Sequence, residues 1–377
     1  MRRAVVNVLA LALGLAVPSA SWAEDKAVPK QVFVVNTQDA SVSLVELATM
    51  KELERYPVGP RPYGIAVSRD GRTVAVGVED EECVKFFSLP GFKEKGKTPI
   101  GKMFNDHIVV TQDGRHVLVA NFHSDDVVGI DMESMQEAFR IKGCSAPHVV
   151  KYGPLKKRAF ATCKKVTGIA IIDPDARQLV ESIGMNVNPR SLTFSPDEKR
   201  VYFGSFWVDG FFEMDIESGK VTRLFKYDPP EGNSDPQEVT YHGVEMLTDR
   251  VLVAANEGRS YVDAVGVSTG RLLDRLSGVS RPCCVERIPG QEGPGVRFLI
   301  DAGRADRRRQ PRVAGQGRGG QGTEAGRVPA VNKEKSRWTV APFSSRRPGL
   351  PPARCWCRGW LPGPRRVTGH PMPAAGW

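Results

Sequence analysis

The sequence predicts an all-β fold, a β-propeller of four-stranded blades, seven-bladed in type, with its last blade truncated or replaced. Three observations predict it. Short β-rich runs recur about every 42 residues. Each unit carries the same order of strand and turn signals. The pattern then stops abruptly after residue 300.

The runs are Val32–Asn36, Val74–Val78, Val117–Asn121, Ala159–Cys163, Val201–Ser205, Leu252–Asn256 and a seventh beginning Arg297-Phe-Leu-Ile300. Their starts lie 42, 43, 42, 42, 51 and 45 residues apart, and the long interval holds a loop insertion at Asp228–Asp235. A polar turn precedes several of them, as in Arg69–Arg72, Gln112–Arg115 and Pro196–Lys199. Asp-Gly in the first two supplies the positive backbone angle of a tight hairpin. An alternating strand follows and closes on an acidic residue, as in Val42–Glu46, Val127–Asp131, Gly168–Asp173 and Phe211–Asp215. A third strand comes next, over Lys51–Pro57, Gln136–Ile141, Gln178–Ile183 and Lys220–Leu224. A Pro-containing loop then leads into the innermost strand of the next unit, at Gly59–Pro62, Ser145–Pro147, Val187–Pro189 and Ser280–Pro282.

Four short strands per period mark a propeller blade. A β-sandwich has no reason to repeat at a fixed period. Period-2 alternation with frequent Gly and Pro excludes a helical solenoid. About six complete blades and the first strand of a seventh are therefore expected over residues 24–300.

The ends read differently. Arg2-Arg3, the uncharged apolar stretch Ala4–Val17 and the small residues Ser21 and Ala23 have the form of a secretory signal at 1–23, cleaved before Glu24. Export follows, to the periplasm in a Gram-negative cell, with no stable membrane insertion after cleavage. Residues 301–377 hold 14 Arg, 12 Gly and 10 Pro, a composition of a disordered tail. With 16 basic and 4 acidic residues the tail carries +12, which leaves −2 on the remaining 300 residues of this +10 chain. A basic nucleic-acid-binding face on the body is thereby excluded. The tail fits either a basic arm for acidic surfaces or out-of-frame translation of GC-rich DNA, and its abrupt start within a repeat favours the second.

The Val34-Val35-Asn36 and Val119-Ala120-Asn121 strand ends, the Asp-Gly-Arg turns at 70–72 and 113–115 and the strands ending in Ile-Asp resemble the YVTN-repeat β-propellers over residues 31–300. That resemblance implies an exported, usually seven-bladed propeller. It leaves function open among binding proteins, lactonase-like hydrolases and the haem-binding propeller of dissimilatory nitrite reductases.

Function is sought where the loop enters each innermost strand, because those positions ring the channel mouth. Alignment of the units places Tyr63, Asp106, His148, Arg190, His242 and Cys283 there, with His107 and Cys284 beside two of them. His, Cys and Asp ligate transition metals, which makes His148, His242 and Cys283 the metal candidates, although no metal is assigned. Arg190 suits a carboxylate or phosphate. Wet channel mouths are polar without any ligand, so each position also has a purely structural reading. The expected role is recognition of a protein partner or small-molecule ligand at the channel face. The alternative is a lactonase-like enzyme or a haem or copper redox protein on the same fold. No particular cofactor or catalytic residue is identified. The Cys-x-x-Cys-His haem attachment motif is absent from the sequence.

Seven cysteines cannot all pair within one chain. Cys144 and Cys163 flank one inner strand and form a candidate pair, while Cys283-Cys284 would require a strained vicinal bond. Glu79–Glu82 reads as a solvated acidic turn, and Trp207, Phe211 and Phe212 as packing between blades.

Overall fold

The computed structural model describes residues 31–47, 49, 51–102, 107–206, 208–229, 241–277, 282–287, 297–302 and 339–342, without the side chains of Cys283, 297–302 and 339–342. The expected signal at 1–23 and most of the 301–377 tail lie outside the described residues.

The strands form six blades and one further sheet. Blade 1 has three described strands, Gln31–Asn36, Ser41–Glu46 and Lys51–Pro57. Blades 2 to 6 are four-stranded antiparallel meanders. Their inner strands are Pro62–Val67, Ile108–Val110, Pro147–Gly153, Pro189–Phe194 and Tyr241–Met246. Inner strands of consecutive blades pack against one another.

The seven-bladed expectation is corrected to six. The last sheet pairs Pro282–Arg287 antiparallel with Arg297–Ala302, and then takes Thr339–Pro342 as a parallel neighbour. A blade needs a second hairpin after its second strand, and the Arg/Gly-rich stretch after residue 302 lacks the alternation to form one. The partner strand instead comes from 37 residues further on, counted from Ala302 to Thr339.

Apolar layers between neighbouring blades form the core. Ala75, Val84 and Phe86 of blade 2 meet Val117, Val119, Val128 and Ile130 of blade 3. Leu118, Ala120 and Val127 turn their opposite face to Ala159, Ala161 and Ile172 of blade 4. Both faces of each middle strand are thus buried, which explains the near-continuous apolar runs in the sequence. Phe211 and Phe212 join the layers on either side of blade 5, as expected, while Trp207 lies outside the described residues.

The polar punctuation has local causes. In Ser68–Arg72 the Asp70 carboxylate accepts from the Ser68 hydroxyl and the Arg72 N–H, and Asp113 and Asp197 repeat the device in later blades. The acidic residues closing the third strands, Asp131, Asp173 and Asp215, accept backbone N–H groups of the next turn. The acidic turn is a single 3-10 turn, Glu79–Glu81, and it is ion-paired: Glu79 is buried against Arg61 at 2.6 Å and Glu81 meets Lys85 at 2.7 Å. Cys144 and Cys163 form a disulfide across the start of blade 4, with Cα atoms 5.2 Å apart.

Candidate functional site

The first turn of the inner strands carries the site. In blades 2, 4, 5 and 6 and in the last sheet, the strand register shifts just after its first residue, between Pro62 and Ile65, Pro147 and Val150, Pro189 and Leu192, Tyr241 and Gly243, and Pro282 and Val285. Such bulges unpair a residue and re-aim its side chain. The first residue left out of the register in each is Tyr63, His148, Arg190, His242 or Cys283, a position singled out from the repeat, and in all but blade 6 the next residue is left out with it. Asp106, the remaining one, lies outside the described residues, as does the Cys283 side chain.

Three of them form a buried layer. His148, Arg190 and His242 are each 1% exposed, although they come from three blades. His148 and His242 meet edge to face, with ring centroids 5.8 Å apart and planes at 85°. The strand that carries Arg190 lies between theirs in ring order. Tyr63 is half-buried two blades away from His148.

A second ring, not anticipated from the sequence, lies one residue beyond the end of each second strand. Phe122, Lys164, Phe206 and Glu257 occupy it in blades 3 to 6. The Arg190 guanidinium lies over the Phe206 ring, with Cζ 3.8 Å from the centroid. Lys164 Nζ lies 4.7 Å from the same centroid and 5.9 Å from that of Phe122. These are cation–π distances, so the aromatic faces help hold both cations in place. Glu257 Oε2 stands 3.7 Å from Arg190 Nη2, an ion pair beyond hydrogen-bond reach. Arg190 Nε and Nη1 are buried with no hydrogen-bond partner among the described residues. The main chain fixes this arrangement: the Lys164 N–H donates to the Ser145 carbonyl at 3.0 Å and the Phe206 N–H to that of Asn188 at 3.1 Å. The signal that could have revealed the second ring is its constant offset from the strand-ending Asn, Cys or Ser.

A polar cluster also crosses between blades 4 and 6 three residues along the inner strands. Lys151 Nζ lies 3.0 Å from Glu245 and 3.5 Å from Glu286. Burial pulls the Lys151 ammonium down, but the two carboxylates outweigh it and hold its pKa well above the usual lysine range. Burial pushes the Glu245 carboxyl up, with Lys151 opposing and Glu286 reinforcing. His107 faces this cluster. Burial lowers its pKa, but a hydrogen bond with Cys284 and the charge of Glu286 bring it out above the ordinary value. Cys284 stands as a thiol, so the vicinal bond weighed for it is not formed.

His148 and His242 are the two metal candidates that the structure brings together. Among the described residues no group of three or more His, Cys, Asp or Glu side chains is disposed to hold a metal ion. The neighbouring buried charge is cationic Arg190, which suits an anion better than a bare cation. A cavity of about 910 Å³ lies elsewhere, between blades 1 and 2, lined by Phe33, Tyr56, Ile65 and Leu89 among others.

No family model matches the chain, and no curated protein matches it by sequence. Solved structures share its fold. Hydrazine synthase of Kuenenia stuttgartiensis superposes with a TM-score of 0.61 at 18% identity, covering 69% of this chain and 87% of that one. The dihydro-heme d1 dehydrogenase NirN, in complex with DHE, gives a TM-score of 0.56 at 17% identity, covering 72% of this chain and 58% of that one. At these identities the likeness establishes a β-propeller and no finer family. Among the described residues no helix is long and apolar enough to cross a membrane.

Proposed function

We propose that this chain is a ligand-binding β-propeller of the YVTN-repeat kind, exported after loss of residues 1–23, and that its channel mouth takes a small organic anion. Arg190 carries the reading. A guanidinium at 1% exposure, with Nε and Nη1 unbonded among the described residues, is costly unless an acceptor arrives. The Phe206 ring fixes its plane, so a carboxylate or phosphate meets donors already oriented. His148 and His242 add ring edges and nitrogens to the same buried layer.

A thermal-shift screen of organic acids and phosphates, followed by His148→Ala, His242→Ala and Arg190→Gln, tests this reading. Ligands should raise the melting temperature of the wild type and lose most of that effect in the Arg190 variant. Undiminished binding to all three variants would refute it. Intact-mass analysis of protein from its host should begin at Glu24, and retained Met1 would refute export.

A second reading, a redox propeller with a haem-type group, draws support from the shared fold of a dehydrogenase in complex with DHE and from the paired His148 and His242. When bound, such a group would supply electron transfer at its metal. His148 and His242 would stand as its ligand candidates and Arg190 as the partner of its carboxylates. Strong visible absorption by the purified protein would favour this second reading.

A further inference from the structure

We propose that Cys284, hydrogen-bonded to His107 inside the channel, is a nucleophilic thiol that captures small organic disulfides as mixed disulfides. Its chemistry is independent of whether Arg190 binds an anion.

The repeat brings the pair together. Residues at one offset in successive blades share a level along the channel. One residue beyond the mouth layer, that level holds Gly64, His107, Val149, Ser191, Gly243 and Cys284. His107 and Cys284 are the two of these that are ionisable near neutral pH, and they meet in a hydrogen bond although they lie far apart in sequence. Charged groups from three other strands stand nearby. Glu286, two residues on from Cys284, meets Lys151 of blade 4 at 3.5 Å, and Lys151 meets Glu245 of blade 6 at 3.0 Å. Cys284 is half-buried and the Glu286 side chain 51% exposed, which leaves the pair open to a small reagent.

His107 supplies what a thiol needs to react. Burial pulls its pKa down, but the Cys284 hydrogen bond, the charge of the sulfur and that of Glu286 outweigh burial and the opposing Lys151. An imidazolium held beside sulfur favours the thiolate, which is the nucleophilic form. Cys83, the second thiol among the described residues, shows the contrast. It is 2% exposed in the layer between blades 1 and 2, and burial, reinforced by Glu81, pushes its pKa up.

The partner follows from the other cysteines. Cys144 and Cys163 are joined, and disulfides persist where small disulfides keep thiols oxidised. A small disulfide is the electrophile that a thiolate meets there. His107 takes the Cys284 proton, and the sulfur attacks one sulfur of R–S–S–R. The new S–S bond forms as the old one breaks, and the departing R–S⁻ collects the proton from His107 as R–SH. Cys284 is oxidised to the mixed disulfide, and one sulfur of the reagent is reduced.

Incubation of the full chain with hydroxyethyl disulfide at pH 6, followed by acid quenching and mass mapping of each cysteine, tests the proposal. The probe is uncharged, so an anion site plays no part. At this pH an ordinary thiol is only about 0.3% thiolate. Pairing with an imidazolium raises that fraction more than it weakens the thiolate. Cys284 of the folded wild type should therefore react at least about tenfold faster than Cys83, and about tenfold faster than Cys284 of the urea-unfolded chain. His107→Gln, with its fold checked by circular dichroism, should lose most of that advantage, and Cys284→Ser should yield no adduct at this position. If His107→Gln does not fold, the comparison of folded with unfolded wild type decides. A folded Cys284 that reacts no faster than the unfolded one, or a rate unchanged in folded His107→Gln, overturns the proposal. Neither result bears on benzoate binding at Arg190.

Discussion

Asp263→Asn is expected to destabilise blade 6 severely and to loosen the channel layer with it. Asp263 sits fully buried on the third strand, Tyr261–Gly266. Its carboxylate accepts from the Tyr241 hydroxyl at 2.6 Å and from Arg275 Nε and Nη2 at 2.6 and 2.9 Å. Burial and this carboxylate hold the Tyr241 phenol far above its ordinary pKa, so it stays a donor. An amide keeps the shape but removes the charge and turns an N–H₂ group toward existing donors. Breaking one side of a buried ion pair costs about 3–5 kcal/mol. For a domain of this size that lowers the melting temperature by about 6–20 °C. Urea and thermal melts followed by circular dichroism measure it. Tyr241→Phe alone should cost about 1.5–3 kcal/mol and add little on top of Asp263→Asn, because the two changes share one hydrogen bond. Tyr241 immediately precedes His242, so anion affinity should fall in both variants. A fall of less than about 2 °C for Asp263→Asn would refute the claim that this network holds the inner strand in place.

Three further outcomes are expected. Glu198 is 5% exposed and accepts the Leu155 and Lys156 N–H groups, both at 2.9 Å, across the blade 4–blade 5 boundary, so Glu198→Ala should cost about 2–4 kcal/mol in urea unfolding. His116 is 4% exposed and neither ring nitrogen has a hydrogen-bond partner among the described residues, and burial holds its pKa below 6.5. The unfolded chain then binds the proton first, so stability should fall as pH drops from 6.5 through the lowered folded value. His116→Phe should flatten that part of the pH profile of the urea midpoint. Replacing Cys144 and Cys163 together with Ala should cost about 3 kcal/mol for a loop of this span, and alkylation without reduction should leave both unlabelled in the wild type.

The channel layer was legible because a repeat converts sequence period into angular position. Tyr63, His148, Arg190 and His242 stand at one offset in their units, and the bulge geometry puts that offset at the first turn of each inner strand. The meeting of His148 with His242 across the blade between them follows from the narrowness of the ring, which no pairwise spacing reports. Phe122, Lys164, Phe206 and Glu257 escaped notice because they follow strand ends, where polar or aromatic residues look like ordinary turn composition. Lys151 and Glu245 escaped because charged residues in an alternating strand read as solvent-facing, and only the axis reveals that they face each other. The resemblance pointed to seven blades, whereas the last sheet among the described residues pairs Arg297–Ala302 with a parallel Thr339–Pro342 instead of a second hairpin.

The central claim is that an organic anion binds Arg190 through Nε and Nη1. Nitrogen-15 NMR of the arginine Nε–H groups, with Arg190→Lys to assign the Arg190 signal, tests it most directly. Titration with benzoate should move the buried Arg190 Nε–H resonance downfield and slow its exchange with water, while the Arg275 Nε–H, already bonded to Asp263, stays in place. An Arg190 signal that remains unmoved at saturating benzoate, or shifts confined to exposed arginines, would contradict the account.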